Sequence, residues 1–318
     1  MLDVIIIGGG PAGLTAALYS GRSHLKTKLL ERYSLGGQVL LTECIENFPG
    51  VYKMNSAQWV EVLKKQLIDL KDVDISEGSR VELVEKKDNL PAGQAGSFKV
   101  HVVSEITGQK NIFETRAVIS AAGANPKRLG IKGEERLIGR GVSFCATCDA
   151  PFFKGKNIVV IGGGNAALEE AMYLTKFADH VVILHRRDEL RAVGVLQDKI
   201  KQDNKISLKL GYVPYEIIGE AKVEGIKIKN VKTLKDEILP CDGVFVFIGA
   251  SPDNQYLKNS VDFDEAGFIK TDENMVTGCP GIFAAGDCRK RPLNQVVTAC
   301  SDGAVAAHIA LKFLENHQ

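Results

Sequence analysis

The sequence has almost no excess of charge of either sign. Its 318 residues include 40 Lys and Arg against 39 Asp and Glu. A surface that binds nucleic acid or anionic lipid normally carries a clear excess of basic residues. The balanced charge therefore argues against both kinds of partner, and we predict no nucleic-acid binding and no membrane binding.

The sequence also lacks a secretory signal and a long hydrophobic run. Residues 1–7 include an acid, Asp3, where a signal peptide is basic, and the apolar stretch is too short. No later stretch approaches the roughly 18 uninterrupted apolar residues of a membrane-spanning helix. We therefore predict that this segment is a strand and that the protein is cytoplasmic.

A secreted disulfide framework is missing as well. The seven cysteines are odd in number and include one close pair, Cys145 and Cys148. That pair is half of a zinc ligand set, but neither a second pair nor a suitably spaced histidine completes it, so we predict no metal site. The other five cysteines are predicted to be reduced and mostly buried as small apolar groups. They are Cys44, Cys241, Cys279, Cys288 and Cys300.

The composition is that of an ordinary globular protein, and the chain is long. Apolar residues make up 45% and charged residues 25% of the sequence. A chain of 318 residues exceeds the size of one small core, so two domains are expected.

A glycine-rich turn follows the first strand. The β-branched run at residues 4–7 leads into Gly8, Gly10 and Gly13 and then into a helical pattern. Gly8 permits a tight turn, Gly10 lets the backbone approach a pyrophosphate, and Gly13 allows close packing of the helix on the strand. The start of the helix offers free N–H groups to phosphates. We predict a dinucleotide site that also includes Pro11 and Ala12.

An acid at the end of the second strand supports this prediction. The strand at residues 27–30 ends in Glu31, 18 positions after Gly13, where a carboxylate accepts hydrogen bonds from a ribose.

The same pattern recurs from Lys156. A strand at residues 157–161 leads into a turn at residues 162–167 and a helix at residues 168–174, with Ala167 in place of the third glycine. The predicted binding residues of this turn are Gly162, Gly164, Asn165 and Ala166. The repeat indicates a second dinucleotide site.

The strand that follows the second turn ends in basic residues. His185, Arg186 and Arg187 come directly after residues 180–184, and Arg191 lies one helical turn further on. An acid here would repel a 2′-phosphate, whereas guanidinium groups bind one bidentately. We therefore predict NADPH rather than NADH at this site.

A third nucleotide signal lies near the C-terminus. Residues 281–287 read as a short buried strand that runs into Gly286 and Asp287, and residues 293–314 read as a long helix.

The order of the motifs places the Cys145/Cys148 pair just ahead of the second glycine turn. This order indicates that electrons pass between cofactors and out through sulfur, as in a disulfide reductase.

Together these motifs resemble the low-molecular-weight thioredoxin reductases of the FAD/NADPH pyridine nucleotide-disulfide oxidoreductases. The resemblance covers nearly the whole chain and rests on residues 8–13, 35–38, 46–50, 145–149, 162–167, 185–188 and 281–287. It implies an α/β fold with two three-layer, Rossmann-like domains. An NADPH-binding domain, residues 124–248, would be inserted into a discontinuous FAD-binding domain, residues 1–123 and 249–318.

The resemblance also implies residue roles. Asp287 would bind the ribityl chain of FAD, Cys148 would lie beside the flavin, Cys145 would attack the protein substrate, and Asp149 would exchange protons with the departing thiolate. The remaining flavin-site residues would be Gly36, Gly37, Gln38, Asn47, Gly286, Gln295 and Val296.

The implied reaction passes a hydride from NADPH to FAD, opens the Cys145–Cys148 disulfide and reduces thioredoxin through a mixed disulfide. The family forms homodimers. The inserted domain would swing between two orientations at Gly- and Pro-containing joints, residues 122–126 and 248–252.

Several alternatives stay open at this point. The substrate could be another disulfide, the donor could be a reduced ferredoxin, and a flavin-binding redox sensor would keep the same cofactor motifs. Asn294 stands where the family usually carries Arg, which puts the tuning of the flavin in doubt. Cys44 and Cys288 lie near predicted flavin residues, and we expect packing roles for both. Residues 88–96 are predicted to form a lengthened hairpin loop.

Overall fold

The computed structural model describes residues 1–42, 44–87 and 96–317. The predicted hairpin loop therefore lies outside the described residues, apart from Gly96.

The strands are numbered in chain order. They are β1 (Leu2–Ile7), β2 (Thr27–Leu30), β3 (Cys44–Ile45), β4 (Met54–Asn55), β5 (Val73–Ser76), β6 (Ser79–Lys86), β7 (Phe98–Ser104), β8 (Lys110–Ser120), β9 (Ala124–Pro126), β10 (Val142–Ser143), β11 (Asn157–Ile161), β12 (His180–His185), β13 (Ile206–Leu210), β14 (Tyr212–Ile218), β15 (Gly225–Asn230), β16 (Asp236–Pro240), β17 (Gly243–Val246), β18 (Ala250–Pro252) and β19 (Ile282–Ala284).

The α-helices are numbered in the same way. They are α1 (Pro11–Arg22), α2 (Ser56–Ile68), α3 (Glu134–Leu137), α4 (Ala146–Asp149), α5 (Asn165–Leu174), α6 (Gly194–Gln202) and α7 (Val296–Glu315). Short 3₁₀ turns cover Gly37–Leu41, Ala150–Phe153, Gln255–Leu257 and Gly286–Cys288.

The chain forms two compact units. Unit 1 contains Met1–Leu40, Cys44–Asn125 and Ser251–Gln318, and unit 2 contains Leu41–Glu43 and Pro126–Ala250. Gly123 and Gly249, in the two predicted joints, have φ angles of 70° and 105°. Only glycine adopts this left-handed region without strain, so both joints use the freedom of that residue.

Unit 1 is built on a mixed sheet. Five parallel strands lie in the order β5-β2-β1-β8-β19, and β7 and β6 extend the sheet antiparallel from the first half of β8. Alternate residues of β1 belong to two cores: Val4 and Ile6 pack with the helices, whereas Ile5 and Ile7 pack with β7 and β19. A parallel strand covered on both faces reads as a continuous apolar run, which explains residues 4–7.

Unit 2 repeats this layering around a five-stranded parallel sheet in the order β10-β17-β11-β12-β13. Ile158 and Val160 of β11 pack with α5, whereas Val159 and Ile161 pack with the antiparallel sheet β14-β15-β16. The prediction of an α/β fold with two three-layer, Rossmann-like units is confirmed.

Helix α7 lies against α1 in unit 1. A Cβ atom built on Gly303 would lie 2.1 Å from the carbonyl oxygen of Ala12, so the two backbones meet where no side chain fits. By length and composition alone α7 could cross a membrane. Its buried Ala306, Ala307 and Ala310 belong instead to the helix-covered core of unit 1.

The predicted start of this helix at Leu293 is wrong by three residues. Gln295 is the N-cap, because its side chain and that of Thr298 form a reciprocal capping box. Leu293 and Asn294 therefore precede the helix.

Gly303→Ala tests the contact between α1 and α7. Helix propensity alone predicts stabilisation of up to about 1 kcal/mol, but the added Cβ must push α7 away from Ala12, which costs about 1–3 kcal/mol. We expect a net decrease in the free energy of unfolding, measured in urea. Ser301→Ala, on the exposed side of the same helix, is the control and should change stability by less than about 0.5 kcal/mol. Stabilisation by both variants would contradict the close contact.

Candidate functional site

The first glycine turn of unit 1 has no room for side chains at its base. Cβ atoms built on Gly8 and Gly13 would lie 2.4 Å from the oxygen of Ala121 and 1.8 Å from that of Gly8. Gly10 differs, because a Cβ there would meet nothing within 4 Å. The outer surface of the turn is therefore open to an approaching group.

The start of α1 fits a phosphate. Gly10 is the N-cap without a side-chain acceptor, and Pro11 stands in the first turn, followed by Ala12. The first N–H groups of a helix have no partner within the helix, and its dipole favours an anion. This geometry would suit the pyrophosphate of the dinucleotide site that the sequence predicts.

Glu31 is anchored at the edge of this cradle. Its carboxylate accepts hydrogen bonds from the N–H of Gly9 at 2.6 Å and from the N–H of Tyr33 at 2.8 Å. The acid at the end of β2 thus lies beside the glycine turn.

A second turn closes over the first. Gly36 and Gly37 have φ angles of 120° and 57°, and the N–H of Gly36 donates to the oxygen of Gly9 at 2.8 Å. A Cβ on Gly37 would lie 3.1 Å from Cα of Gly10. Gln38, the next residue, donates to the oxygen of Ala124.

Asn47 and Gln295 meet although they are 248 residues apart in the sequence. Asn47 Nδ2 donates to Gln295 Oε1 at 2.9 Å. Gln295 caps α7, so this contact and Val296 lie at the N-terminal end of that helix.

Gly286 and Asp287 follow β19 in a tight turn. Gly286 has a φ of 77°, and a Cβ there would lie 2.8 Å from Cβ of Ala12. Burial raises the pKa of Asp287, while the neighbouring Arg291 opposes that rise. The turn thus places Gly286 against the start of α1, with Asp287 as the next residue in the chain.

A largely buried charged cluster, formed by Asp287, Arg289, Arg291 and Asp302, surrounds this turn. Asp302 Oδ2 accepts from Gly286 N at 3.0 Å, Arg289 Nη1 at 3.1 Å and Arg291 Nη1 at 3.2 Å. Arg291 Nη2 also contacts Asp287 Oδ1. The sequence analysis missed Arg289, Arg291 and Asp302, because no local motif marks them.

The second glycine turn, in unit 2, has a similar base. A Cβ on Gly162 would lie 2.5 Å from the oxygen of Phe247, whereas the nearest atom to one on Gly164 is 4.0 Å away. Asn165 Oδ1 accepts from the N–H of Val193 at 2.9 Å. The next residue, Ala166, lies exposed in the first turn of α5.

The basic residues at the end of β12 and just after it comprise one buried ring, that of His185, and three exposed arginines. His185 is 6% exposed, its ring faces Gly163, and its Nε2 has no hydrogen-bond partner among the described residues. Burial lowers the pKa of His185, and the charges of Arg191, Arg187 and Arg186 lower it further. His185 is therefore neutral at pH 7, and the three exposed arginines carry the positive charge.

Cys145 and Cys148 form a disulfide, with their Cα atoms 5.3 Å apart. The N–H of Cys145 donates to Ser143 Oγ at 3.1 Å, and Cys145 precedes the single turn of α4. Asp149 ends that turn, and its Oδ1 accepts from Thr42 Oγ1 at 2.9 Å. The three predicted catalytic residues thus lie on one short segment, and Thr42 is a contact that the sequence analysis missed.

The five other cysteines are free, as predicted. The prediction that most are buried is wrong, because only Cys241 and Cys288 are buried and Cys44, Cys279 and Cys300 are half-buried. Burial raises the pKa of Cys241 to about 12 and that of Cys288 to about 11, and it also raises the pKa of Cys279 and Cys300. These four thiols are held in their unreactive, protonated form.

Comparison with known proteins gives consistent results. The family model described as pyridine nucleotide-disulphide oxidoreductase matches residues 2–303. The thioredoxin reductase of Listeria monocytogenes is 42% identical over 98% of this chain and 94% of its own length. The thioredoxin reductase of Peptoclostridium acidaminophilum is 41% identical over 98% of this chain and 97% of its own length. The crystal structure of thioredoxin reductase from Streptococcus pyogenes superposes with a TM-score of 0.90 at 39% identity, covering 99% of this chain and 98% of that one.

The disulfide predicts a definite thiol count. Alkylation of the denatured, unreduced protein should modify five cysteines, and alkylation after reduction should modify all seven. Peptide mass spectrometry should locate the two additional sites at Cys145 and Cys148. Seven accessible thiols before reduction, or a disulfide that involves another cysteine, would contradict the assignment.

Proposed function

The chain belongs to the pyridine nucleotide-disulphide oxidoreductase family, and we propose that it is an NADPH-dependent thioredoxin-disulfide reductase. The observation that carries this proposal is the Cys145–Cys148 disulfide, which lies beside Asp149 in the unit that also contains the glycine turn at residues 162–167, the proposed site of the nicotinamide nucleotide. The relatives named thioredoxin reductase share nearly the full length of the chain, which supports the same substrate. We propose that residues 1–123 and 249–318 form the FAD-binding domain and residues 124–248 the NADPH-binding domain.

FAD fits the residues of unit 1. The open surface at Gly10 and the uncapped start of α1 would hold the pyrophosphate. Glu31 would face a ribose, Asp287 would accept hydrogen bonds from the ribityl chain, and the Asn47–Gln295 pair would face the isoalloxazine. When bound, FAD supplies two-electron chemistry between a nicotinamide and a disulfide.

NADPH is the proposed donor because the basic residues of unit 2 suit its 2′-phosphate. Arg186, Arg187 and Arg191 are exposed. All three lie close enough to His185 for their charges to lower its pKa. His185 stays neutral and packs beneath the cradle at Gly163. Its proposed role is therefore to support the turn, while the guanidinium groups bind the phosphate. The same features argue against a reduced ferredoxin as donor.

The dithiol, once reduced, would act by thiol–disulfide exchange. The Cys145 thiolate attacks one sulfur of oxidised thioredoxin, a mixed disulfide forms, and the other thioredoxin sulfur leaves as a thiolate. Asp149 gives that sulfur a proton. The Cys148 thiol then gives its proton to Asp149, and its thiolate attacks the Cys145 sulfur, which restores the Cys145–Cys148 bond. The second thioredoxin sulfur leaves as a thiolate and takes up this proton. Thr42 is proposed to orient Asp149 through their 2.9 Å hydrogen bond.

Homodimer formation stays a prediction from the resemblance, and a cytoplasmic location stays a prediction from the sequence. Sedimentation of the purified protein would measure the first, and fractionation of its source cells the second.

Anaerobic titration of the purified protein tests the proposal. NADPH should bleach the flavin absorbance, and oxidised thioredoxin should restore it. Cys145→Ser should still bleach but should fail to recover, because the exchange step lacks its attacking thiolate. A yellow protein that NADPH does not bleach would overturn the donor assignment. Bleaching without recovery in the unmodified protein would overturn thioredoxin as the acceptor.

Replacement of the exposed arginines tests nucleotide choice. Arg186→Ala combined with Arg187→Ala should raise the KM for NADPH by roughly tenfold or more, since charge-assisted contacts to a phosphate are lost. The KM for NADH should remain unchanged. Arg140→Ala, which removes an exposed arginine elsewhere in unit 2, should affect neither value. Equal losses with both nucleotides would contradict a 2′-phosphate site.

A further inference from the structure

Arg291 is the most buried cation of the charged cluster in unit 1. Its side chain is 3% exposed, compared with 11% for Arg289 and Asp302 and 28% for Asp287. A buried charge requires partners that satisfy it, and each nitrogen of this guanidinium has one. Nη2 contacts Asp287 Oδ1, Nη1 lies 3.2 Å from Asp302 Oδ2, and Nε donates to Asn294 Oδ1 at 3.0 Å. The guanidinium is therefore fixed in position.

The contacts of Arg291 use one oxygen of Asp287. Arg291 Nη2 contacts Asp287 Oδ1, so Oδ1 is the carboxylate oxygen that faces the guanidinium. Because the same guanidinium is held by Asp302 and Asn294, it determines which way the carboxylate of Asp287 turns. A carboxylate held by one oxygen can accept a further hydrogen bond through the other.

Arg289 is the matched contrast. It also pairs with Asp302, at 3.1 Å, but its other contacts are with Thr271 Oγ1 at 2.7 Å and the oxygen of Asp272 at 3.3 Å. It makes no contact with Asp287 among the hydrogen bonds and ion pairs of the described residues. The cluster therefore contains two arginines that share Asp302 and differ in their relation to Asp287.

We propose that Arg291 is a positioning residue for flavin binding, which holds the Asp287 carboxylate in the orientation that accepts hydrogen bonds from the polyol chain of FAD. This inference rests on the proposed role of Asp287 in the flavin site. It assigns a function to a cation that no sequence motif marks.

The charges around Asp287 support this role. Burial raises the pKa of Asp287, Asp302 raises it further, and Arg291 lowers it through both its charge and its hydrogen bond. Arg289 faces Asp302 rather than Asp287. Without Arg291 the carboxyl group would take up a proton at a higher pH, and a protonated Asp287 would lose acceptor strength toward a hydroxyl group.

The test measures FAD binding to flavin-free protein by quenching of flavin fluorescence, across a range of pH. Arg291→Met should raise the Kd for FAD roughly tenfold to hundredfold. Its affinity should also begin to fall at a higher pH on acidification than that of the unmodified protein. Arg291→Lys, which keeps the charge, should restore part of the affinity and the original pH profile. Arg289→Met, which removes a comparable ion pair with Asp302, should leave the pH profile unchanged.

A double-mutant cycle separates positioning from loss of folding. In an Asp287→Asn background, Arg291→Met should cause little further loss of FAD affinity, because its effect acts through the carboxylate. An unchanged Kd in Arg291→Met would overturn the inference. So would equal losses and equal pH profiles in Arg291→Met and Arg289→Met. Because FAD binding requires neither NADPH nor thioredoxin, these outcomes leave the proposed reaction standing, whereas failure of the unmodified protein to bind FAD overturns both.

Discussion

The two sites depend on one steric constraint, the close approach of a helix to the end of a parallel strand. At Gly13, in α1, an added Cβ would lie 1.8 Å from the oxygen of Gly8, and a Cβ on Gly162, after β11, would lie 2.6 Å from Cβ of Ala167 in α5. This approach brings the start of α1 or α5 over its sheet and turns unpaired N–H groups toward the space outside. Gly10 and Gly164 leave that space open. Both cradles therefore follow from missing side chains.

Burial then determines which thiols stay protonated and which charged groups need a partner. Among four of the free cysteines, burial raises the pKa and keeps the thiol protonated. Cys145 and Cys148 are half-buried, joined to each other and followed by an acid. The cluster around Asp302 obeys the same rule, because each buried charge in it has an opposite charge within hydrogen-bonding distance. The surroundings of a group, rather than its residue type, thus determine whether it is available for chemistry or serves the structure.

Local patterns were sufficient where one short segment contains the whole signal. The β-branched run before Gly8, the repeat at Gly162 and the spacing of Cys145 and Cys148 each fix geometry within a few residues, because a strand, a turn and a helix follow one another without help from distant parts. The fold class followed from the resemblance of these motifs, taken together and in order, to a known family. The start of α7 was not predictable from the apolar periodicity, which extends back to Leu293. The capping box of Gln295 and Thr298 starts the helix at Val296 instead.

The sequence by itself therefore determined the two strand–glycine–helix units, the reactive cysteine pair and the basic end of β12. Tertiary structure alone decided the contacts across long separations: Thr42 with Asp149, 107 residues apart, and Asn47 with Gln295, 248 residues apart. It also decided the place of Arg291 between Asp287 and Asp302. The physical reason is that a side chain's direction and burial depend on packing between distant segments, which no local spacing records.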